Sequence, residues 1–191
     1  MGYDRADAWT RKAKAAGFPA RSVFKLEEID QLHHVVKPGG SAIDLGCFPG
    51  SWSKWLIGRG ARVVGVDLQA PALPGGTWLV GSVLEIEAEA LRDAAGGPVD
   101  LVVSDLAPNT SGQKYVDHVR QIALAERALS LAIELGKPGS HFVCKVFDGE
   151  DANAFVERVK AAYTQVKRQK PDATRGSSVE FFVIGKGLKA K

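Results

Sequence analysis

Asp44-Leu45-Gly46-Cys47-Phe48-Pro49-Gly50-Ser51-Trp52-Ser53 is the stretch on which the reading of this chain turns. An apolar run, Ser41 to Leu45, leads into a turn with glycines at 46 and 50, and a helical pattern follows from Ser51 to Ile57. Gly46 and Gly50 let the backbone turn sharply and approach a ligand closely, where a Cβ would obstruct it. Ser51 can cap the helix that follows. The pattern is not Gly-x-Gly-x-x-Gly, because position 48 is Phe and Pro49 precedes the second glycine. The leading Asp44 also argues against a pyrophosphate, which avoids negative charge, and for a cationic amino-acid moiety.

Outward from that turn, short apolar runs alternate with helical periods. Strands are expected at Ser41–Leu45, Arg62–Val66, Thr77–Val80, Val99–Val103, His141–Cys144, Thr164–Arg168 and Val179–Ile184. Helices are expected at Ala20–Leu32, Ser51–Ile57, Glu85–Ala94, Val116–Leu135 and Ala152–Tyr163. Such alternation means an α/β protein with a doubly wound, mostly parallel seven-stranded sheet in a single domain. No helical pattern separates the last two strands, so one of them should enter antiparallel. Residues 1–38 read as a basic helical N-terminal extension and 39–191 as the sheet that carries the chemistry. Ligands in such sheets lie beyond the carboxyl ends of the strands, where strand order reverses.

Asp67 ends the second strand, about 20 residues past the glycines, where a carboxylate can accept both ribose hydroxyls of an adenosine. Alone it reads equally well as a turn or cap residue. Together with Asp44, Gly46 and Gly50 it points to an adenosyl ligand. The fourth strand runs into Asp105 and Pro108-Asn109, and the fifth into Lys145-Val146-Phe147. A buried charge at the end of an apolar strand needs a partner. Asp105 and Lys145, on neighbouring strands, can pair across the cleft; a purely structural ion pair is the plain alternative.

Hydrophobic residues make up 45% of the chain, charged residues 25%, and the net charge is +3. Basic residues gather at both ends: Arg5, Arg11, Lys12, Lys14, Arg21 and Lys25, then Lys160, Lys167, Arg168, Lys170, Arg175, Lys186, Lys189 and Lys191. That distribution suits a polyanion such as RNA, although basic tails are also common solubilising decoration. No apolar run reaches the roughly 18 residues of a membrane span. The polar N-terminus lacks a secretory pattern, so a cytoplasmic protein with no membrane partner is expected. Cys47 and Cys144 make neither a disulfide framework nor metal-ligand spacing, so no metal is expected. If the fourth strand lies between the first and fifth, the two thiols are too far apart to bridge.

The set Phe24-Lys25-Leu26, Asp105 with Pro108-Asn109, Lys145-Val146-Phe147 and Glu180 resembles the Lys-Asp-Lys-Glu tetrad of the FtsJ/RrmJ-type RNA methyltransferases. Asp44 to Ser53 and Lys170-Pro171-Asp172-Ala173-Thr174-Arg175 are similar too, so the resemblance runs from about Trp9 to Gly187. It implies a Rossmann-like methyltransferase fold, S-adenosylmethionine as cofactor, and methyl transfer to a ribose 2′-hydroxyl of RNA. The substrate it implies is a uridine of the large-subunit ribosomal RNA, free or in the assembled subunit, and the chain is expected to act as a monomer.

It further implies that Lys145 accepts or steers the hydroxyl proton and that Lys25 binds the acceptor ribose or phosphate. Asp105 would orient Lys145 and reach the cofactor's methionyl amine, while Glu180 would position a lysine or the ribose hydroxyl. Asp44, Gly46, Gly50, Trp52, Asp67 and Asp105 would hold the cofactor. Ser82 stands where the family has an acidic residue for the adenine amine, leaving backbone groups or Glu85 for that task. A catalytically silent RNA-binding module and a small-molecule methyltransferase are the other readings. Four occupied tetrad positions argue against the first, and the lack of an evident lid against the second.

Overall fold

The computed structural model describes residues 2–108, 111–174 and 178–190. Asn109, Arg175 and Lys191, which the sequence reading names, lie outside them, and the side chain of Arg5 is likewise not described. Two helices, α1 (Gly2–Ala15) and α2 (Val23–His33), precede the first strand. Then follow β1 (Ser41–Leu45), α3 (Ser51–Gly58), β2 (Arg62–Asp67), β3 (Gly76–Val80), α4 (Ala88–Ala95) and β4 (Val99–Ser104). The chain continues with α5 (Lys114–Leu135), β5 (Gly136–Phe147), α6 (Ala152–Ala162), β6 (Tyr163–Gln169) and β7 (Glu180–Leu188).

The sheet order is β3-β2-β1-β4-β5-β7-β6. All pairs are parallel except those of β7, which runs antiparallel to both β5 and β6. This is the mixed sheet expected from the missing helical pattern before the last strand. Strand order reverses between β1 and β4, which opens a crevice above their carboxyl ends.

Successive residues of a strand point to opposite faces, so each central strand feeds two cores. Ile43, Val64, Val102 and Phe142 pack with Leu91, Ala128, Leu131 and Phe155 beneath α4, α5 and α6. Ala42, Val63, Val103 and Phe182 pack with Leu26, Ile29, Trp52 and Leu56 beneath α2 and α3. Burial on both faces is why these strands read as unbroken apolar runs. Leu91 and Leu56 are completely buried, and truncating either to Ala costs about 2–5 kcal/mol.

Several boundaries differ from the sequence reading, three of them for reasons visible in the hydrogen bonds and strand pairing. Helix α2 starts at Val23 rather than Ala20, because the Ala20 N–H is taken by the Ser51 hydroxyl at 2.8 Å. Helix α4 starts at Ala88 rather than Glu85, because the Ser82 carbonyl accepts the Glu85 and Ile86 N–H groups in a separate turn. Strand β5 starts at Gly136 rather than His141: Gly136 pairs with Val99 before the register shifts at Leu101. Among the described residues no helix is long and apolar enough to cross a membrane.

Candidate active site

The carboxyl ends of β1, β2 and β4 frame a cleft of about 600 Å³, lined among others by Gly46, Phe48, Asp67, Leu68, Ser82, Asp105, Leu106 and Arg120. Gly46 has φ 84°, and a Cβ there would stand 2.8 Å from the Leu106 Cδ2, so no other residue fits the turn. Asp67 holds that turn in place. Its Oδ2 accepts the Phe48 N–H at 3.0 Å and its Oδ1 the Leu68 N–H at 2.7 Å. A carboxylate oxygen has two lone pairs, so both can still accept a hydroxyl.

Asp44 lies beneath this floor, 1% exposed. The Ser53 hydroxyl donates to its Oδ2 at 2.6 Å, while its Oδ1 has no partner. Burial pushes its carboxyl up to about 7; the Ser53 bond opposes this, and the charges of Asp105 and Asp67 add to it. Three carboxylates converging around an orphaned buried oxygen make a place for a cation. The ammonium and sulfonium of an S-adenosylmethionine satisfy that requirement, and its ribose diol suits Asp67. The residues present therefore fit this cofactor.

Next along the sheet the charge changes sign. Lys145, 6% exposed near the end of β5, donates to the Asp105 carbonyl at 2.7 Å. The Asp105 Oδ1 lies 3.2 Å from the same ammonium but makes no aligned hydrogen bond to it. This contact is an ion pair that leaves the ammonium donors only partly used. Lys25, 8% exposed and the third residue of α2, donates to the Glu180 carboxylate at the start of β7. Its ammonium also sits 5.6 Å from the centre of the Phe182 ring. Two buried ammonium groups, each with a carboxylate, thus stand beside the cleft.

Trp52, expected at the cofactor, goes elsewhere. Its indole is buried against Phe182 at 5.8 Å, and its N–H donates to the Ser22 carbonyl at 2.7 Å. The apolar ring finds a complete core site between α2 and the sheet, so the side chain does not line the cleft. Gly50, with φ 106°, lines a separate hollow. The Ser82 hydroxyl is turned into its own loop, accepting the Leu84 N–H at 3.3 Å. Segment Gly81–Leu84 lines the cleft and Glu85 does not, which leaves backbone groups and the Ser82 side chain at the adenine end.

Two supporting residues escaped the sequence reading. Gln121 of α5 is buried; its Nε2 donates to the Lys145 carbonyl at 2.6 Å and its Oε1 accepts the Phe147 N–H at 3.0 Å. It therefore brackets the backbone that carries Lys145. Asp117, one turn earlier, accepts the Ser111 N–H at 2.7 Å and its hydroxyl at 2.8 Å, fixing Ser111 to the start of α5. Those bonds hold its carboxyl below the usual carboxylate range. The available signal was two polar residues at i and i+4 on the face of α5 that continues into Ala125 and Ala128.

The FtsJ-like methyltransferase family model matches residues 18–188. A ribosomal RNA large subunit methyltransferase E of Desulfosudis oleivorans is 48% identical over 190 residues, 96% of this chain and 91% of that protein. Its namesake in Bdellovibrio bacteriovorus is 39% identical over 196 residues, 99% of this chain and 100% of its own. Among solved structures, one from Plasmodium falciparum assigned as a ribosomal RNA methyltransferase superposes with TM-score 0.81 at 20% identity, covering 91% of this chain and 100% of its own. That likeness bears on the fold, while the matched model and the full-length relatives bear on descent. By these matches the chain belongs to the FtsJ-like methyltransferase family.

Proposed function

We propose that this chain transfers a methyl group from S-adenosylmethionine to a ribose 2′-hydroxyl of large-subunit ribosomal RNA, with a uridine as the acceptor. The observation that carries the reading is the pair of buried ammonium–carboxylate contacts, Lys145 with Asp105 and Lys25 with Glu180, beside a cleft built for a cation. Bound in that cleft, S-adenosylmethionine supplies an electrophilic methyl group.

A 2′-hydroxyl is a weak nucleophile while it keeps its proton. Lys145, held by the Asp105 carbonyl, accepts that proton in its neutral amine form or, as an ammonium, steers the hydroxyl through its remaining donors. Lys25 holds the acceptor ribose or its phosphate, and Glu180 fixes Lys25 from the other side. Asp105 faces both ways, towards Lys145 and towards the cofactor's amine. Asp44 answers the cationic end of the cofactor and Asp67 the ribose diol. Much of the acceleration then comes from alignment, with reacting atoms held about 3–3.5 Å apart. A silent RNA-binding module is not favoured, since nothing in RNA binding alone requires two ammonium groups to be buried, one at a strand end and one at a helix start.

The test is transfer of labelled methyl from S-adenosylmethionine to ribosomal RNA or large subunits, followed by digestion to nucleosides. A labelled 2′-O-methylnucleoside is expected. Label on a base, or in no RNA at all, refutes the reading.

A further inference from the structure

A second hollow, of about 540 Å³, opens on the far side of the glycine turn and is lined in part by Lys14, Phe18, Phe48, Gly50, Lys54 and Leu73. Phe48 also lines the cofactor cleft, so one ring separates the two spaces. Phe48 is 47% exposed at that boundary, so its ring is open to a ligand. Its backbone is fixed by the N–H bond to Asp67. Phe18 is fixed as well: Gly17 (φ 76°) closes α1 with its N–H on the Lys14 carbonyl at 2.9 Å, and the Phe18 N–H reaches the Ala13 carbonyl at 2.8 Å. Lys54 stands over the Phe18 ring at 5.7 Å while donating to the Gly17 carbonyl at 2.7 Å. Lys14 is exposed on the same rim.

Resting on the methyl-transfer reading above, we infer that this hollow is a subsite for a nucleotide of the substrate RNA flanking the methylated one. A base lies against the Phe18 and Phe48 rings, and Lys14 and Lys54 meet the phosphate. Rings flanked by ammonium groups are the arrangement that binds single strands with little sequence preference, because every base has a π-face. The cofactor itself is excluded from this hollow, since its sulfonium and ammonium would face two lysines. The chain path supports the connection to the acceptor. From Phe18 it crosses the start of α3, where Ala20 bonds Ser51, and reaches Lys25 within the next turn. Residues 17–22, at least partly exposed, thus lead from the hollow to the turn that carries Lys25.

The experiment titrates a short, labelled single-stranded oligouridylate into the wild-type chain, Phe18→Leu and Lys14→Ala at several salt concentrations. S-adenosylhomocysteine affinity, measured separately, reports that each variant is folded. Phe18→Leu keeps the apolar volume and removes the π-face, so affinity should fall roughly 5- to 100-fold. Lys14→Ala should reduce the slope of log affinity against log salt by about 0.7. Unchanged affinity in the first variant together with an unchanged slope in the second overturns the subsite, as does failure of the wild-type chain to bind the oligouridylate. Should Phe18→Leu lose S-adenosylhomocysteine binding, the exposed Lys14 decides alone. Methyl transfer by the wild type separates the two readings. Transfer to ribose with both variants binding normally removes only the subsite, whereas weakened variants without any ribose methylation remove only the methyl-transfer reading.

Discussion

Asp44 gives the most exacting test of how the cofactor end works. Its carboxyl sits at about 7 because burial penalises the charged form, with Asp105 and Asp67 adding to that penalty and Ser53 opposing it. A bound ligand cation favours the ionised form, so binding must strip the proton wherever Asp44 still carries it. Apparent affinity then scales with the fraction of Asp44 already ionised. For a group at about 7, that fraction makes S-adenosylhomocysteine bind about tenfold more weakly at pH 6 than at pH 8. The assay is isothermal calorimetry across that range in two buffers of different ionisation enthalpy, which also counts the proton released. About one proton should leave at pH 6 and almost none at pH 8. Asp44→Asn should bind weakly and without the pH slope. A wild-type affinity that is flat from pH 6 to pH 8, or an Asp44→Asn variant that keeps the slope, refutes the argument.

The same shift carries a stability consequence of opposite sign. The folded carboxyl is raised above its unfolded value of 3.8, so between there and about 7 the folded state holds more protons. The contribution of this group to stability therefore falls as pH rises through that window and levels off above it. Without ligand, Asp44→Asn should melt higher than the wild type at pH 8 and show less advantage at pH 5.

Binding and chemistry should separate by mutation: Lys145→Ala should abolish methyl transfer with S-adenosylhomocysteine affinity kept, whereas Asp67→Ala should lose affinity. Equal loss of cofactor binding in the two, by calorimetry, would sink the assignment of roles. Gln121→Leu leaves the Phe147 N–H without its side-chain acceptor and the Lys145 carbonyl with only the Cys144 thiol at 3.4 Å, at about 1–3 kcal/mol for the N–H. A melting temperature lowered by at least about 2 °C follows for a domain of this size, and an unchanged one would show the bracket to be idle. Cys47 and Cys144 are buried thiols on either side of β4, both pushed up to about 12 chiefly by burial. Thiol counting on denatured, unreduced protein should find both free.

The parts of the fold legible in the sequence were those whose environment is uniform along an element. β1, β2 and β4 are covered on both faces and so announce themselves as apolar runs. The antiparallel entry of β7 followed from a missing helix rather than from any motif. Gly136-Lys137-Pro138-Gly139 reads locally as a turn, yet pairing with Val99 draws Gly136 into β5, a decision made by the neighbouring strand. Trp52 was misplaced for a similar reason. An aromatic in a ligand-binding turn is ambiguous until the opposite wall is known, and here that wall is Ser22 and Phe182. The Lys145–Asp105 pair followed from strand order, whereas Lys25 and Glu180, 155 residues apart, entered only through family likeness. Gln121 carries no local signal beyond being polar on an apolar helix face.

Strand order also sorts the charges of the site. Reading across the sheet, Asp67 ends β2, Asp44 lies in β1, Asp105 follows β4, Lys145 is in β5 and Glu180 opens β7 beside Lys25. The first three make a negative half suited to a cationic donor; the lysines make a positive half suited to the RNA backbone. Asp105 stands at the seam: its carbonyl binds the Lys145 ammonium, and its carboxylate faces both that ammonium, at 3.2 Å, and the charge of Asp44. In the proposed reaction a donor carrying positive charge is favoured on the first side and an acceptor carrying negative charge on the second. The methyl group then has one direction to travel, from the β1–β4 crevice towards β5. Reversing the charge at the seam should therefore harm both halves at once, which neither Asp67 nor Lys145 can do alone.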